Sequence, residues 1–149
     1  MNPFDIKSAL LAKHAQHVVL IHFPIALFIA GVVFDFLAQS VKRRALGAVA
    51  YYNFLGAAIS AVPVVVTGLL AWQFELEGQK LKGILLMHLV LGMTSALLIW
   101  IVWAMQRQAT KHPTAGPPTF RLALEAVAVV VVGITGHLGG FLSGINGPN

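Results

Sequence analysis

Apolar residues in this chain gather into four runs that are separated by short polar segments. The runs cover about residues 18–39, 46–72, 84–105 and 120–142. A helix needs roughly 20 predominantly apolar residues to cross a bilayer, so each run is long enough. The pattern predicts an all-α membrane fold in which four transmembrane helices form an antiparallel bundle. The chain has the length of one domain, so we expect a single transmembrane domain over residues 1–149.

The polar segments predict how the bundle is oriented. Cations concentrate after the first and third runs, and they include Lys42, Arg43, Arg44, Arg107 and Lys111. Lys and Arg are enriched in cytoplasmic loops, so both termini are predicted to lie outside. Residues 106–119 contain several prolines and form the predicted cytosolic linker.

The residues before the first run predict a short N-terminal helix that lies in the membrane interface. Asn2 suits an N-cap, Pro3 suits the first helical position, and Asp5 suits the first turn. Apolar residues that follow could form the side that faces the lipid.

Composition places the chain in a membrane and excludes several kinds of site. Hydrophobic residues make up 58% and charged residues 10%, whereas soluble domains contain about 25% charged residues. The formal charge of +5 comes from short clusters between the runs, which sets topology and does not indicate nucleic-acid binding. Because the chain has no cysteine, disulfides, thiolate metal sites and covalent c-type haem attachment are excluded.

Histidines in the apolar runs are the strongest functional signal, because ionisable groups in membrane helices are costly and need a reason. His22, His88 and His137 each lie about five residues from a run's predicted outer end, which is roughly 7 Å below the boundary. Gly68 lies at the same depth on the second run. We therefore predict one layer of three imidazoles that belongs to a shared metal or cofactor site.

Two further histidines lie one to two helical turns farther out. His14 and His17 share a helix face, while His17 and His22 are about 140° apart around a helix. They could not all bind one ion. His14 and His17 are therefore additional candidate ligands, and the alternative is a partly wet interfacial position.

Glycines beside the histidines help to choose between cofactors. Gly68, Gly92, Gly136 and Gly140 leave room for a flat macrocycle, although small residues also let helices pack closely. Two axial imidazoles suit a six-coordinate haem in a helix bundle. Three imidazoles suit zinc or copper. We expect at least one haem b, and a second could use His14 or His17.

Polar residues also occur at the predicted cytosolic ends of the runs. They are Asp35, Asn53, Arg121 and Glu125. We interpret them as an interfacial cluster of ion pairs and hydrogen bonds. The alternative is a site for proton uptake or for a quinone head group.

Two motifs carry a resemblance to a known family. His17 precedes the run His22-Phe23-Pro24-Ile25-Ala26-Leu27, and the run Gly136-His137-Leu138-Gly139-Gly140 comes near the end. Together they resemble the signature of domain of unknown function 2231, a family of bacterial membrane proteins. The family usually has His-Pro where this chain has His17-Val18, and the residues after Gly140 also differ. The resemblance implies a multi-pass protein of the bacterial cytoplasmic membrane. Some relatives are joined to Rieske iron–sulfur modules, which would imply electron transfer.

These observations predict a membrane protein or subunit that resembles a b-type cytochrome. They favour an electron-transfer role over that of a stand-alone enzyme. It would hold haem near the outer face through two of His22, His88 and His137. It would relay electrons between a redox partner protein and a quinone or partner subunit, either within a larger membrane complex or as a homo-oligomer. The alternatives are a zinc- or copper-binding membrane protein and a structural subunit whose histidines only bond neighbouring helices.

Overall fold

The computed structural model describes residues 13–74, 76–78, 80–111 and 120–143. In these ranges the chain forms helices and no strand. The helices are α1 (Lys13–Leu20), α2 (His22–Ser40), α3 (Arg44–Phe74), α4 (Gly83–Lys111) and α5 (Arg121–Leu142). The predicted interfacial helix around residues 2–12 and most of the predicted linker, residues 112–119, lie outside the described residues.

Four stretches of helix are long and apolar enough to cross a membrane. They are Gln16–Ser40, Ala45–Phe74, Gly83–Lys111 and Arg121–Leu142. The prediction of an all-helical protein with four membrane-spanning helices is confirmed. The orientation with both termini outside stays a prediction.

The helix is interrupted at Ile21, between α1 and α2. Pro24 is the cause, because proline has no backbone N–H and its ring clashes with the carbonyl four residues earlier, here that of Leu20. The backbone still connects across the interruption, since the N–H of Ile21 donates to the carbonyl of His17 at 3.0 Å. The interruption therefore lies between His17 and His22, and Ile21 itself keeps helical dihedral angles.

Helices that follow one another in the chain pack side by side, and α2 also contacts α5, which closes the bundle. The most extensive contact joins α2 to α3. Gly31 of α2 lies so close to the ring of Phe54 that an added Cβ would approach two ring carbons at 2.8 Å. Phe54 in turn packs on Phe28, with ring centroids 5.6 Å apart, and both side chains are fully buried.

Alanines and valines fill the remaining core between the helices, where small side chains allow close approach. The core contains Ala50, Ala57, Ala58, Val102, Ala128 and Val132. Many large apolar side chains point away from it, among them Leu97 and Val130, which are 61% and 60% exposed. An apolar exterior of this kind requires a lipid bilayer around the bundle.

Candidate functional site

An apolar cavity of about 520 Å³ lies between the spanning helices. It occupies the half of the bundle that contains the start of α2, the start of α4 and the end of α5. Helix α1 contributes His17, α3 contributes Gly68, and α4 contributes His88. Cavities of 300–1,000 Å³ are typical of small-molecule and cofactor sites. The volume is therefore large enough for an organic ligand.

His88 is held by a hydrogen bond to the neighbouring helix. Its Nδ1 lies 3.1 Å from the carbonyl oxygen of Thr135 on α5. Because a carbonyl can only accept, Nδ1 carries the proton and donates it. In the neutral ring the lone pair then lies on Nε2, the atom that most often binds metals.

A pair of hydroxyl groups supports this contact. The Thr135 hydroxyl donates to the Val131 carbonyl at 2.8 Å, so the Ser95 hydroxyl donates to Thr135 Oγ1 at 3.0 Å. The Ser95 bond connects α4 to α5 through Thr135, the residue whose carbonyl accepts from His88. Both hydroxyl bonds restrict movement of the turn whose carbonyl orients His88.

His17 is oriented in the same manner by a different helix. Its Nδ1 lies 3.1 Å from the Val64 carbonyl and 3.2 Å from the Thr67 hydroxyl, both on α3. That hydroxyl itself donates to the Pro63 carbonyl at 2.8 Å. Nδ1 of His17 therefore carries the proton, and its lone pair also lies on Nε2. The two imidazoles come from separate helices, and both line the cavity.

Each of these two rings lies against a glycine. A Cβ added at Gly68 would lie 2.9 Å from Cε1 of His17, and one added at Gly139 would lie 3.2 Å from Cε1 of His88. Larger residues would displace the rings. All of the glycines predicted for the site line the cavity, namely Gly68, Gly92, Gly136 and Gly140.

The other histidines have different surroundings. His22 lines the cavity, but its side chain is exposed and its Nδ1 lies 3.3 Å from the Val19 carbonyl of the preceding helical turn. His137 is exposed, is not among the residues that line the cavity, and packs edge-on against Phe141 with ring centroids 5.0 Å apart. Position 14 belongs to α1, but the side chain of His14 is not among those described.

The three-imidazole layer expected from residue counting does not appear as a group of ligands. Among the described residues, no three side chains of the types His, Cys, Asp and Glu lie together so that they could hold a metal ion. His17, not His22, is the histidine that contacts Gly68. The two residues lie on opposite sides of the interruption at Ile21, and counting residues from a boundary does not show which of them faces α3.

Sequence reasoning missed the groups that orient the rings, which are Thr67, Ser95, Thr135 and Gly139. One signal could have found two of them. A Thr-Gly pair occurs in the second run and again in the fourth, as Thr67-Gly68 and Thr135-Gly136. Each pair places a hydroxyl beside a glycine at the depth of an imidazole.

At the opposite end of the bundle, three of the four predicted polar residues come together. Arg121 contacts both Asp35 and Glu125. Asn53 instead donates to the Val49 carbonyl of its own helix at 2.9 Å. The interpretation as an ion-pair cluster therefore holds for Asp35, Arg121 and Glu125.

A family model described as a predicted membrane protein (DUF2231) matches residues 13–146. The chain belongs to this family. The match includes every helix that lines the cavity and both motifs that carried the resemblance. No curated protein and no solved structure matches the chain significantly. The DUF2231 description names a membrane protein and no activity, so function has to be argued from the site.

Proposed function

We propose that this DUF2231 member is an electron-transfer protein of the membrane, or the electron-transfer subunit of a larger complex, that binds haem b in its cavity. His17 and His88 are the residues that would hold the haem iron. The observation that carries the proposal is that two imidazoles from different helices line one apolar cavity, and a backbone carbonyl holds the Nδ1 of each. The pair retains His88 from the expected set and uses His17 in place of His22 or His137.

The hydrogen bonds at Nδ1 support ligation by Nε2. Histidines that bind metals almost always donate their other ring N–H to a carbonyl or carboxylate, which fixes the tautomer and the ring orientation. Val64 and Thr135 supply these carbonyls. These bonds support the proposal because they favour the tautomer that ligation through Nε2 would require.

The cavity walls suit a flat apolar group. Gly92 and Gly136 line it, and a Cβ added at either position would meet only ordinary van der Waals contacts, at 3.8 Å and 3.9 Å. Most of the remaining surface is lined by apolar side chains, among them Ile25, Val65 and Leu89. Held by His17 and His88, a haem would supply one-electron transfer.

The same geometry explains why we propose electron transfer and not an enzyme reaction. Among the described residues that line the cavity there is no carboxylate, lysine or arginine, and the proposal uses two of the lining histidines as ligands. The chain's residues would orient the ligands, keep water out and separate the cofactor from the charged end of the bundle. The proposed partners are a redox protein, a quinone or neighbouring membrane subunits.

A structural role is the second candidate, and one observation favours it. The bonds from His17 to α3 and from His88 to α5 join different helices, which is what a stabilising interhelical bond does. Zinc or copper on three histidines is less well supported, because the described residues contain no such group of three.

The experiment is an absorption spectrum of the full chain, purified in detergent after expression with added haem precursor, together with metal analysis. Haem binding predicts a Soret band that sharpens on reduction and about one iron per chain. His17→Ala and His88→Ala should each abolish most of the band. His137→Ala is the matched control, since this exposed ring lies outside the cavity and its loss should leave the band intact.

Other results would contradict the proposal. Colourless protein with stoichiometric zinc or copper would support the metal-binding alternative, and colourless protein without metal would leave the structural role. If the band survived in His17→Ala and disappeared in His137→Ala, the ligand pair would be wrong. Circular dichroism of each variant shows whether a lost band reflects lost folding.

A further inference from the structure

The second polar site of the bundle lies at the end opposite the cavity and contains two carboxyl groups for one guanidinium. Arg121 Nη2 lies 2.6 Å from Asp35 Oδ2, and Arg121 Nε lies 3.4 Å from Glu125 Oε1. All three residues are buried, with exposures of 5% for Arg121, 3% for Asp35 and 0% for Glu125. With both carboxyls ionised, the cluster would hold one negative charge that no cation in it neutralises.

An unbalanced charge inside a membrane bundle is unfavourable, and a single added proton removes it. The structure indicates which carboxyl receives that proton. Asp35 Oδ2 accepts from Arg121 and also from the Gln39 amide at 3.2 Å. Neither carboxylate oxygen of Glu125 accepts a hydrogen bond from the described residues. Asp35 is therefore stabilised as an anion by two hydrogen bonds, whereas Glu125 has only the longer contact with Arg121.

A second observation concerns α4, which packs against α5 at this end. Gln106 is only 5% exposed, and its Oε1 lies 3.5 Å from Arg121 Nη1. Its Nε2, like Nε1 of Trp103 one turn earlier, is buried without an acceptor among the described residues. Among the described residues, this end of the bundle therefore holds buried donors without acceptors beside a buried carboxyl that accepts no hydrogen bond. Small movements of the amide could stabilise Glu125 once it loses its proton.

We infer that Glu125 is an exchangeable proton-binding site within the membrane, and that Arg121 and Asp35 form the fixed ion pair beside it. Among the described residues, the charged groups around Glu125 are Asp35 from α2 and Arg121 from its own helix. Helix α4 presents the uncharged Gln106, and its cations Arg107 and Lys111 are exposed. The inference goes beyond electron transfer and does not depend on haem, because the cluster shares no residue with the cavity.

The position of Glu125 suits exchange with water at one face of the membrane. It lies one turn from the start of α5, roughly 6 Å along the helix axis from Arg121. The cavity lies toward the other end of the same helix. A proton taken up at Glu125 could therefore balance charge that arrives at the far end of the bundle.

The test is infrared spectroscopy of the full chain in lipid nanodiscs over a range of pH. We expect the C=O stretching band of a protonated carboxyl near neutral pH, with a shift to lower frequency in D₂O. Glu125→Gln should remove this band. Glu77→Gln is the matched control, because Glu77 is exposed in the loop before α4 and its loss should leave the band unchanged.

Raising the pH should remove the band in the wild-type chain as Glu125 releases its proton. No band in the wild type, a band that survives in Glu125→Gln, or a band that never titrates would each overturn the inference. If Glu125→Gln does not fold, side-chain ¹³C-labelled glutamate in the wild type decides the case. The label must shift the band, because an unshifted band would assign the proton to an aspartate.

Discussion

At the cavity end of the bundle, two imidazoles donate to backbone carbonyls and border about 520 Å³ of apolar space between the helices. At the other end, Asp35, Arg121 and Glu125 are in direct contact and almost completely buried. Both ends place polar groups inside a membrane protein. At the cavity end the partners of the polar side chains are backbone carbonyls, whereas at the other end the charged side chains contact one another.

This difference indicates what each end can do. An imidazole that bonds a backbone carbonyl does not require a carboxylate beside it. Space can therefore remain next to the ring for a ligand. A buried guanidinium requires carboxylates at close range, and these fill the surrounding volume. The first arrangement suits a cofactor, whereas the second suits a proton or a purely structural role.

The largest effect on stability is expected from Arg121→Met, which leaves two buried carboxyls without their cation. Breaking a buried ion pair by removing one partner costs about 3–5 kcal/mol. The free energy of unfolding, measured in mixed micelles with increasing SDS, should fall by this amount. Lys111→Met is the control, because this lysine is an exposed cation near the same end and its loss should cost no more than about 0.5 kcal/mol. Equal losses in the two variants would mean that the cluster is not a stabilising unit.

The next largest effects on stability are expected from alanine substitutions at Gly31 and Gly68, where an added Cβ would meet an aromatic ring. An alanine Cβ at Gly31 would meet the Phe54 ring at 2.8 Å. That ring is fully buried, so Gly31→Ala should cost about 1–3 kcal/mol in unfolding free energy through overpacking. At Gly68 the Cβ would meet the His17 ring, which borders the cavity and can turn into it. Gly68→Ala should therefore lose less stability but should lower the haem content.

Gly133→Ala is the control for this comparison, since a Cβ there meets no atom within 4 Å. It should be neutral or should stabilise the helix by up to about 1 kcal/mol. If Gly68→Ala lost as much stability as Gly31→Ala and kept its haem, the His17 ring would not be a movable ligand at the edge of a cavity.

A larger side chain inside the cavity should abolish haem binding and change the free energy of unfolding little. Gly92 lines the cavity, and a Cβ there meets only Thr135 Cγ2 at 3.8 Å. Gly92→Leu should therefore remove the Soret band, while the unfolding free energy changes by less than about 1 kcal/mol because the side chain enters existing space. Leu97→Phe adds bulk to the lipid-facing side of the same helix and should leave the spectrum unchanged. A haem-loaded Gly92→Leu protein would place the cofactor elsewhere.

The smallest effect is expected from Ser95→Ala, which removes the hydroxyl bonded to Thr135. Interhelical hydrogen bonds in membranes contribute about 0.6 kcal/mol on average, so unfolding free energy should fall by this small amount. The haem content should stay close to that of the wild type, because the Thr135 carbonyl still holds His88. Among the described residues, the neighbouring Thr94 bonds to the Val90 carbonyl of its own helix, and Thr94→Val should have no measurable effect. A large loss of haem in Ser95→Ala would show that the hydroxyl pair is needed to orient the ligand.

The amino-acid sequence alone was enough to predict the membrane-spanning helices, because the length and polarity of a run are local properties of the chain. It also predicted that imidazoles and glycines would concentrate in one half of the bundle. Gly68, Gly92, Gly136 and Gly140 all line the cavity. Residue depth along a helix follows from counting, so residues of similar depth could be grouped in advance.

Only the tertiary structure decided which of the histidines, glycines and charged residues contact one another. Helices that are apolar on nearly every side show no preferred face in their sequence, so the rotation of each helix about its axis cannot be read from periodicity. That rotation, together with the interruption at Ile21, turns His17 toward α3 and leaves His137 outside the cavity. The carbonyls of Val64 and Thr135 became visible as partners only once neighbouring helices were in place. The same packing joined Asp35 to Arg121 across 86 positions of sequence and left Asn53 bonded to its own helix.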